Sequence, residues 1–354
     1  MKFSKLYVLL MVLFPLLALS CSGKGDDPVT PDPDPDPIVE PEKPLPDPVY
    51  PEPGNGWTVS PVIGYDGITF YTFDGLDPVS NSRQRIFVTD IDLSRPDYAV
   101  KLGYYSATTT ASEVFRTNNA IACINGGYEA ASIWIRFENK NKASIVNNFI
   151  TDGSYQIPQW KSEAALYLDN DQDVRIEFTG KGMNVEEWRT TYFARAKSET
   201  NMLTSAPMLI DNYEPVGKEF CKLHPRQCSS GEDPYNHQAS NTNPRTAIAK
   251  TELNHVQFIV VDGRRSGVST GISAANLTEF LVRNFNPQYA LNLDGGGSST
   301  MCVKGFGDPA THVVNYPTDN MSSTGKDGSP KESGGPDHAG QRPRDTFLYV
   351  VKKN

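Results

Sequence analysis

Ala290-Leu291-Asn292-Leu293-Asp294-Gly295-Gly296-Gly297-Ser298-Ser299-Thr300 is a short apolar strand that delivers one carboxylate into three consecutive glycines and then three hydroxyls. Successive glycines let the backbone reach positive φ, so several N–H groups can point into one concavity, and such a nest suits an anionic oxygen. The hydroxyls of Ser298 and Ser299 add donors behind it. A solvated glycine–serine linker is the competing reading, but a linker rarely follows an apolar strand that ends on a carboxylate. No lysine follows the glycines and the spacing is wrong, which excludes a Walker phosphate loop.

Upstream, Phe258-Ile259-Val260-Val261 predicts a buried strand ending at Asp262-Gly263-Arg264. Ser273 is a helix cap, and Leu277, Phe280, Leu281 and Phe285 share one face of the helix that follows. Strand, helix and strand at this spacing predict a βαβ unit with parallel strands and a right-handed crossover. Parallel strands end at one edge of the sheet, so Asp262 and Asp294 should emerge together there. Ile121-Ala122-Cys123-Ile124 predicts a third buried strand, ending on Asn125-Gly126-Gly127-Tyr128, which joins them if it runs the same way. From Trp57 to Val100 short alternating runs broken by Gly64, Asp66-Gly67 and Asp74-Gly75 predict β-hairpins. Met202 to Ile210 contains Pro207 and predicts an edge or irregular strand. The fold class expected is α+β: one large domain with mixed β-sheets and few helices.

The chain opens with Lys2, Lys5 and a nearly all-apolar run from Leu6 to Leu19, then Ala18-Leu19-Ser20-Cys21. That predicts a secretory signal over residues 1–20 of the lipoprotein type, with Cys21 acylated at the new N-terminus. The expected location is the bacterial envelope, on the outer membrane, with the lipid as the only membrane contact. Residues 22–56 alternate proline with carboxylates, as in Pro31-Asp32-Pro33-Asp34, and predict an extended tether ahead of a folded domain at 57–354. The formal charge is −9, to which the tether contributes, and no basic stripe is present, so nucleic acid is not an expected partner. A monomer is expected. Of the other cysteines, Cys221 and Cys228 fit a local disulfide, with a metal site through His224 and His237 as the alternative. Cys123 and Cys302 read either as buried thiols or as a second bridge.

Two carboxylates, a nest and the arginines Arg245 and Arg264 match an anionic ester: arginine forks phosphate, and paired carboxylates cleave glycosides as acid and as base or nucleophile. The segments Asn125-Gly126-Gly127-Tyr128, Pro207-Met208-Leu209-Ile210, Pro244-Arg245-Thr246-Ala247-Ile248, Val261-Asp262-Gly263-Arg264 and Asn292 to Thr300 together resemble the phosphodiester glycosidase family. Ser269-Thr270-Gly271-Ile272, Val314-Asn315-Tyr316-Pro317 and Arg344 fit as well, so the resemblance runs over roughly residues 115–351. Ala249 stands where the family usually has glycine, and the loop from Cys221 to Asn241 has no counterpart. The resemblance implies hydrolysis of a sugar-1-phosphodiester. Arg245 and the stretch Gly295, Gly296, Gly297, Ser298 and Ser299 would hold phosphate, Asp262 and Asp294 would supply acid and base, and Asn125, Gly126, Gly127, Arg264, Ser269 and Arg344 would position substrate. No cofactor is required by this chemistry. One Ca²⁺ or Mg²⁺ on Asp262 and Asp294 is the alternative, and a non-catalytic glycan-binding lipoprotein is the runner-up function.

Overall fold

The computed structural model describes residues 46–128, 132–139, 142–147, 159–169, 173–180, 183–193, 200–218, 241–321 and 338–353. The signal, Cys21, most of the tether, and Cys221, Cys228, His224 and His237 lie outside the described residues. Strands β1 (Trp57–Pro61), β2 (Ile68–Asp77), β3 (Ser82–Asp92) and β4 (Tyr98–Thr109) precede helix α1 (Ala111–Thr117). Then come β5 (Ala122–Asn125), β6 (Trp134–Asn139), β7 (Lys142–Asn147), β8 (Ala164–Asp169), β9 (Asp173–Phe178), α2 (Val185–Phe193), β10 (Thr200–Ser205) and β11 (Met208–Ile210). After these follow β12 (Arg245–Lys250), β13 (His255–Val261), α3 (Ala274–Asn284), β14 (Tyr289–Asn292), β15 (Met301–Val303) and β16 (Arg344–Lys352). Among the described residues no helix is long and apolar enough to cross a membrane.

Three sheets form, in the orders β1-β2-β3-β13-β12-β14-β11, β7-β6-β10-β8-β9 and β15-β5-β16-β4. The architecture is α+β, as expected, but every ladder among these strands is antiparallel. The expectation that a sheet pairs strands in parallel is therefore corrected, while the two strands of the expected βαβ unit are kept. β13 and β14 do run in the same direction, but β12 lies between them and pairs antiparallel with both. The physical reason is two-sided burial. Val256, Phe258 and Val260 face the other sheets, while Ile259 and Val261 face Leu277, Phe280 and Leu281 of α3. A strand buried on both faces reads as a continuous apolar run, which is the usual signature of a parallel strand.

α3 forms where its pattern predicts: the Ser273 hydroxyl accepts from the Asn276 amide at 3.1 Å, and Phe285 closes the helix. α1 is capped likewise by Thr110, which accepts from Glu113. Pro207 divides its segment into two strands in different sheets. β10 is internal to the five-stranded sheet, and β11 is an edge of the seven-stranded one. Asp74-Gly75 is not a turn, because the hairpin continues to Asp77. Asp74 there accepts from Arg83 and Arg85 across the strands, at 2.6 and 2.9 Å.

Candidate active site

The antiparallel interleaving collects three charged residues at one edge. Arg245 opens β12 opposite Val261, so the start of β12 lies beside the ends of β13 and β14, from which Asp262 and Asp294 emerge. The four-stranded sheet meets this edge through Asn125. Its Nδ2 donates to the Asp294 carbonyl at 2.7 Å, while its Oδ1 accepts from the Thr246 hydroxyl at 2.9 Å and the Thr300 amide at 3.1 Å. The Asp294 amide donates in turn to the Gly126 carbonyl. One fully buried amide thus ties four segments together.

The glycine tract is a tight turn rather than an open nest. Its Gly296 amide donates to the Pro244 carbonyl at 2.9 Å, Ser298 to Gly295 at 3.2 Å and Ser299 to Gly296 at 3.3 Å. These amides serve the backbone, which corrects the expectation that they would be offered to an anion. Glycine is required for close approach instead. A Cβ on Gly297 would lie 2.1 Å from Arg342 Nη2 and 2.3 Å from Asp319 Oδ1, and one on Gly295 would lie 2.7 Å from the Pro244 carbonyl oxygen. Gly126 and Gly127 are likewise packed, against Thr346 and Ser132.

What surrounds the anion-sized space is guanidinium. A hollow of about 300 Å³ is lined by Asn243, Pro244, Arg245, Arg264, Gly295 to Gly297 and Arg342. Arg245 is 1% exposed and donates from Nε to the Ile272 carbonyl and from Nη2 to that of Asn241. Burial pushes it down to about 10, so it remains a cation at neutral pH. Arg264 projects from a left-handed backbone, φ 60°, and donates to Asn243 Oδ1 at 3.1 Å. Non-glycine residues pay strain for that conformation, and such outliers cluster at functional sites. Arg342 is held by Asp319 through two bonds, at 2.9 and 2.8 Å.

Both carboxylates are perturbed. Burial raises Asp262 to about 7, against the amide of Tyr316 and Asn315 Nδ2, which donate to its Oδ1 at 3.0 and 3.1 Å. Burial also raises Asp294 to about 6, opposed by Ser298, Lys161, Arg342 and the Gly295 amide. The Asp294 carboxylate is 17% exposed, and Arg344 Nε stands 3.6 Å from it while donating to the Ser298 hydroxyl at 2.7 Å. Two carboxyls that titrate near neutrality are suited to general acid–base work.

Arg245, Arg264 and Gly295 to Gly297 line the hollow, with Asp294 next to it. Asn125, Gly126, Gly127 and Ser299 are brought to the same edge as scaffold: the Thr246 hydroxyl lies 3.2 Å from the Ser299 hydroxyl. Ser269 braces Asp262, donating from Oγ to its carbonyl at 2.8 Å. Sequence reasoning did not single out Arg342, Asp319 or Lys161 for the site, nor Asn315 and Tyr316 as donors to Asp262. Lys161 lies 4.5 Å over the Tyr128 ring and bears on Asp294. No local motif marks Lys161 or Asp319. Asn315-Tyr316 sat within a segment of the family pattern, which was the available signal. Cys123 and Cys302 face each other across β5 and β15 as buried free thiols.

The sequence profile of phosphodiester glycosidases matches residues 118–326. No curated protein matches the chain. Among solved structures, similarity is found to the catalytic domain of zebrafish N-acetylglucosamine-1-phosphodiester alpha-N-acetylglucosaminidase, auto-inhibited by a pro-peptide. The TM-score is 0.53 at 15% identity, covering 84% of this chain and 88% of that one, which shows a shared fold. A hypothetical protein from Synechocystis gives a TM-score of 0.49 at 12% identity, covering 84% of this chain and 64% of the other.

Proposed function

The chain belongs to the phosphodiester glycosidase family, and from that premise we propose that it hydrolyses a sugar-1-phosphodiester on an extracytoplasmic glycan, freeing the sugar and leaving a phosphomonoester. One observation carries the proposal: Arg245, Arg264 and Arg342 converge on a hollow of about 300 Å³ whose wall includes Gly295, the residue after Asp294, and Arg342 bears on that carboxylate. Three guanidiniums neutralise the charge that builds on the departing phosphate, and their forked geometry orients it. Asp294, the more exposed carboxylate, takes a proton from the water that attacks the anomeric carbon. Asp262, held higher, keeps its proton longer and is the acid partner.

The surroundings of the carboxylates do not fit a divalent cation. Asp262 Oδ1 already accepts two N–H donors, and Asp294 lies beside Arg344 and in the field of Lys161 and Arg342. Hydrolysis is proposed to proceed without a cofactor. The proposal keeps the domain on a lipid anchor at Cys21, and incorporation of labelled palmitate that is lost in Cys21→Ala tests that part.

The direct test is release of free sugar from UDP-N-acetylglucosamine and from a synthetic N-acetylglucosamine-1-phosphodiester by the purified protein, with and without chelator. Release that persists with chelator and vanishes in Asp294→Asn supports the reaction. No release from either substrate, with sugar phosphate still bound, favours the glycan-binding alternative.

A further inference from the structure

Among the described residues, the outer face of the four-stranded sheet is only partly covered. Val114 and Phe115 of α1 pack on Cys123, Cys302 and Phe347, but α1 ends at Thr117. Beyond it β16 presents Tyr349 and Val351 on one face, because alternate strand residues share a side, and Lys352 and Lys353 follow at the strand's end. Lys101 of β4 lies directly opposite Tyr349. At this end of the sheet the described residues form a groove of about 510 Å³ lined by Tyr65, Tyr349, Asn119, Lys101, Lys352 and Lys353 among others, with no carboxylate in that lining. Lys304 Nζ donates to Asn119 Oδ1 at 3.3 Å and adds a fourth ammonium to the rim. Lys352 and Lys353 make no ion pair among the described residues, and the neighbouring Asp97 is turned to Arg95 at 3.8 Å. In a chain of formal charge −9 this concentration of lysine is local, with Asp97 the neighbouring carboxylate.

We propose that this groove is a second, non-catalytic carbohydrate site that takes an acidic oligosaccharide segment, one whose sugars carry carboxylate or phosphate groups. The tyrosine rings offer flat apolar faces to sugar C–H groups, Asn119 offers an amide to hydroxyls, and the lysines match the anionic substituents. Eight strand steps separate Lys352 from Arg344, roughly 27 Å along β16. A polymer held in the groove can therefore reach the arginine-lined hollow at the other end of the same strand. The site does not depend on the reaction proposed above, and its test reads binding rather than turnover.

The test is calorimetric titration of the purified protein with a polygalacturonate octasaccharide, alongside maltooctaose, inorganic phosphate and vesicles of phosphatidylglycerol. The acidic octasaccharide is expected to bind and maltooctaose to bind far more weakly. Affinity should fall as salt rises from about 0.01 M to about 0.15 M. Lys101→Ala with Lys353→Ala should weaken binding roughly tenfold, and Tyr349→Ala should weaken it at unchanged salt dependence. Turnover of a small sugar-1-phosphodiester should be unchanged in the Lys352→Glu variant, whose exposed substitution leaves the core intact. Absence of octasaccharide binding, equal binding of maltooctaose, or full affinity in the double lysine variant would overturn the site. Inorganic phosphate binding as tightly as the octasaccharide would overturn the carbohydrate assignment, as would vesicle binding without oligosaccharide binding.

Discussion

Asp262→Asn should stabilise the protein while disabling it, and the size of the gain should depend on pH. The carboxyl is 4% exposed, and its pKa is raised from 3.8 to about 7. Between those values the folded chain holds a proton that the unfolded chain has released, so stability of the natural protein falls as pH rises through this window. Above it the buried charge costs the whole difference, about 4 kcal/mol at 1.36 kcal/mol per pH unit, taken as an upper bound. The nearby Arg85 and Arg265 and the donors Tyr316 and Asn315 are already included in that balance. Both donors reach Oδ1, so an asparagine with its oxygen in that position keeps both bonds and carries no charge. Urea denaturation at several pH values measures the outcome. Variant and natural protein should be nearly equal at about pH 4, and the variant should be more stable by about 2–4 kcal/mol at about pH 8. Turnover should fall by about 10²–10⁴ if Asp262 transfers a proton. A stability difference that is constant across pH would refute the buried-charge account, and normal turnover would remove Asp262 from the chemistry.

Asp294→Asn should lower kcat by about 10²–10⁴ with little change in KM, measured as sugar release. The pH profile of kcat/KM should rise through about 6 and fall through about 7, the values to which burial raises Asp294 and Asp262, and a flat profile would count against the pair as acid and base. Arg264→Ala removes a partly solvated guanidinium from the hollow and should raise KM by about 10–100-fold at near-normal stability, checked by steady-state kinetics and thermal melting. Gly297→Ala places a methyl where Arg342 and Asp319 meet and should cost about 1–3 kcal/mol together with most of the activity. If activity survives, the Arg342–Asp319 pair is not needed in its present position.

Local patterns in the chain were sufficient for much of this structure. The apolar runs at Phe258 to Val261 and Ala290 to Leu293 became strands, and the face of Leu277, Phe280, Leu281 and Phe285 became the buried side of α3. Asp262 and Asp294 were legible as strand-end carboxylates because an apolar run closed by Asp-Gly leaves its polar group at a sheet edge. Arg245 was legible as a phosphate-forking arginine, and the family pattern singled it out further.

What the sequence determined by itself is whatever depends on near neighbours: periodicity, caps, glycines and the α+β composition. What only the tertiary structure decided is whatever depends on which strands lie side by side. β12 slips between β13 and β14 because hydrogen-bond pairing is fixed by the whole sheet, and that insertion brings Arg245 to the edge where the two aspartates emerge. The glycine tract became a close-packed turn because Pro244, Arg342 and Asp319, distant in the chain, occupy the space a Cβ would need. The raised aspartates follow the same rule, since desolvation is a property of everything packed around a group and not of the residues beside it in sequence.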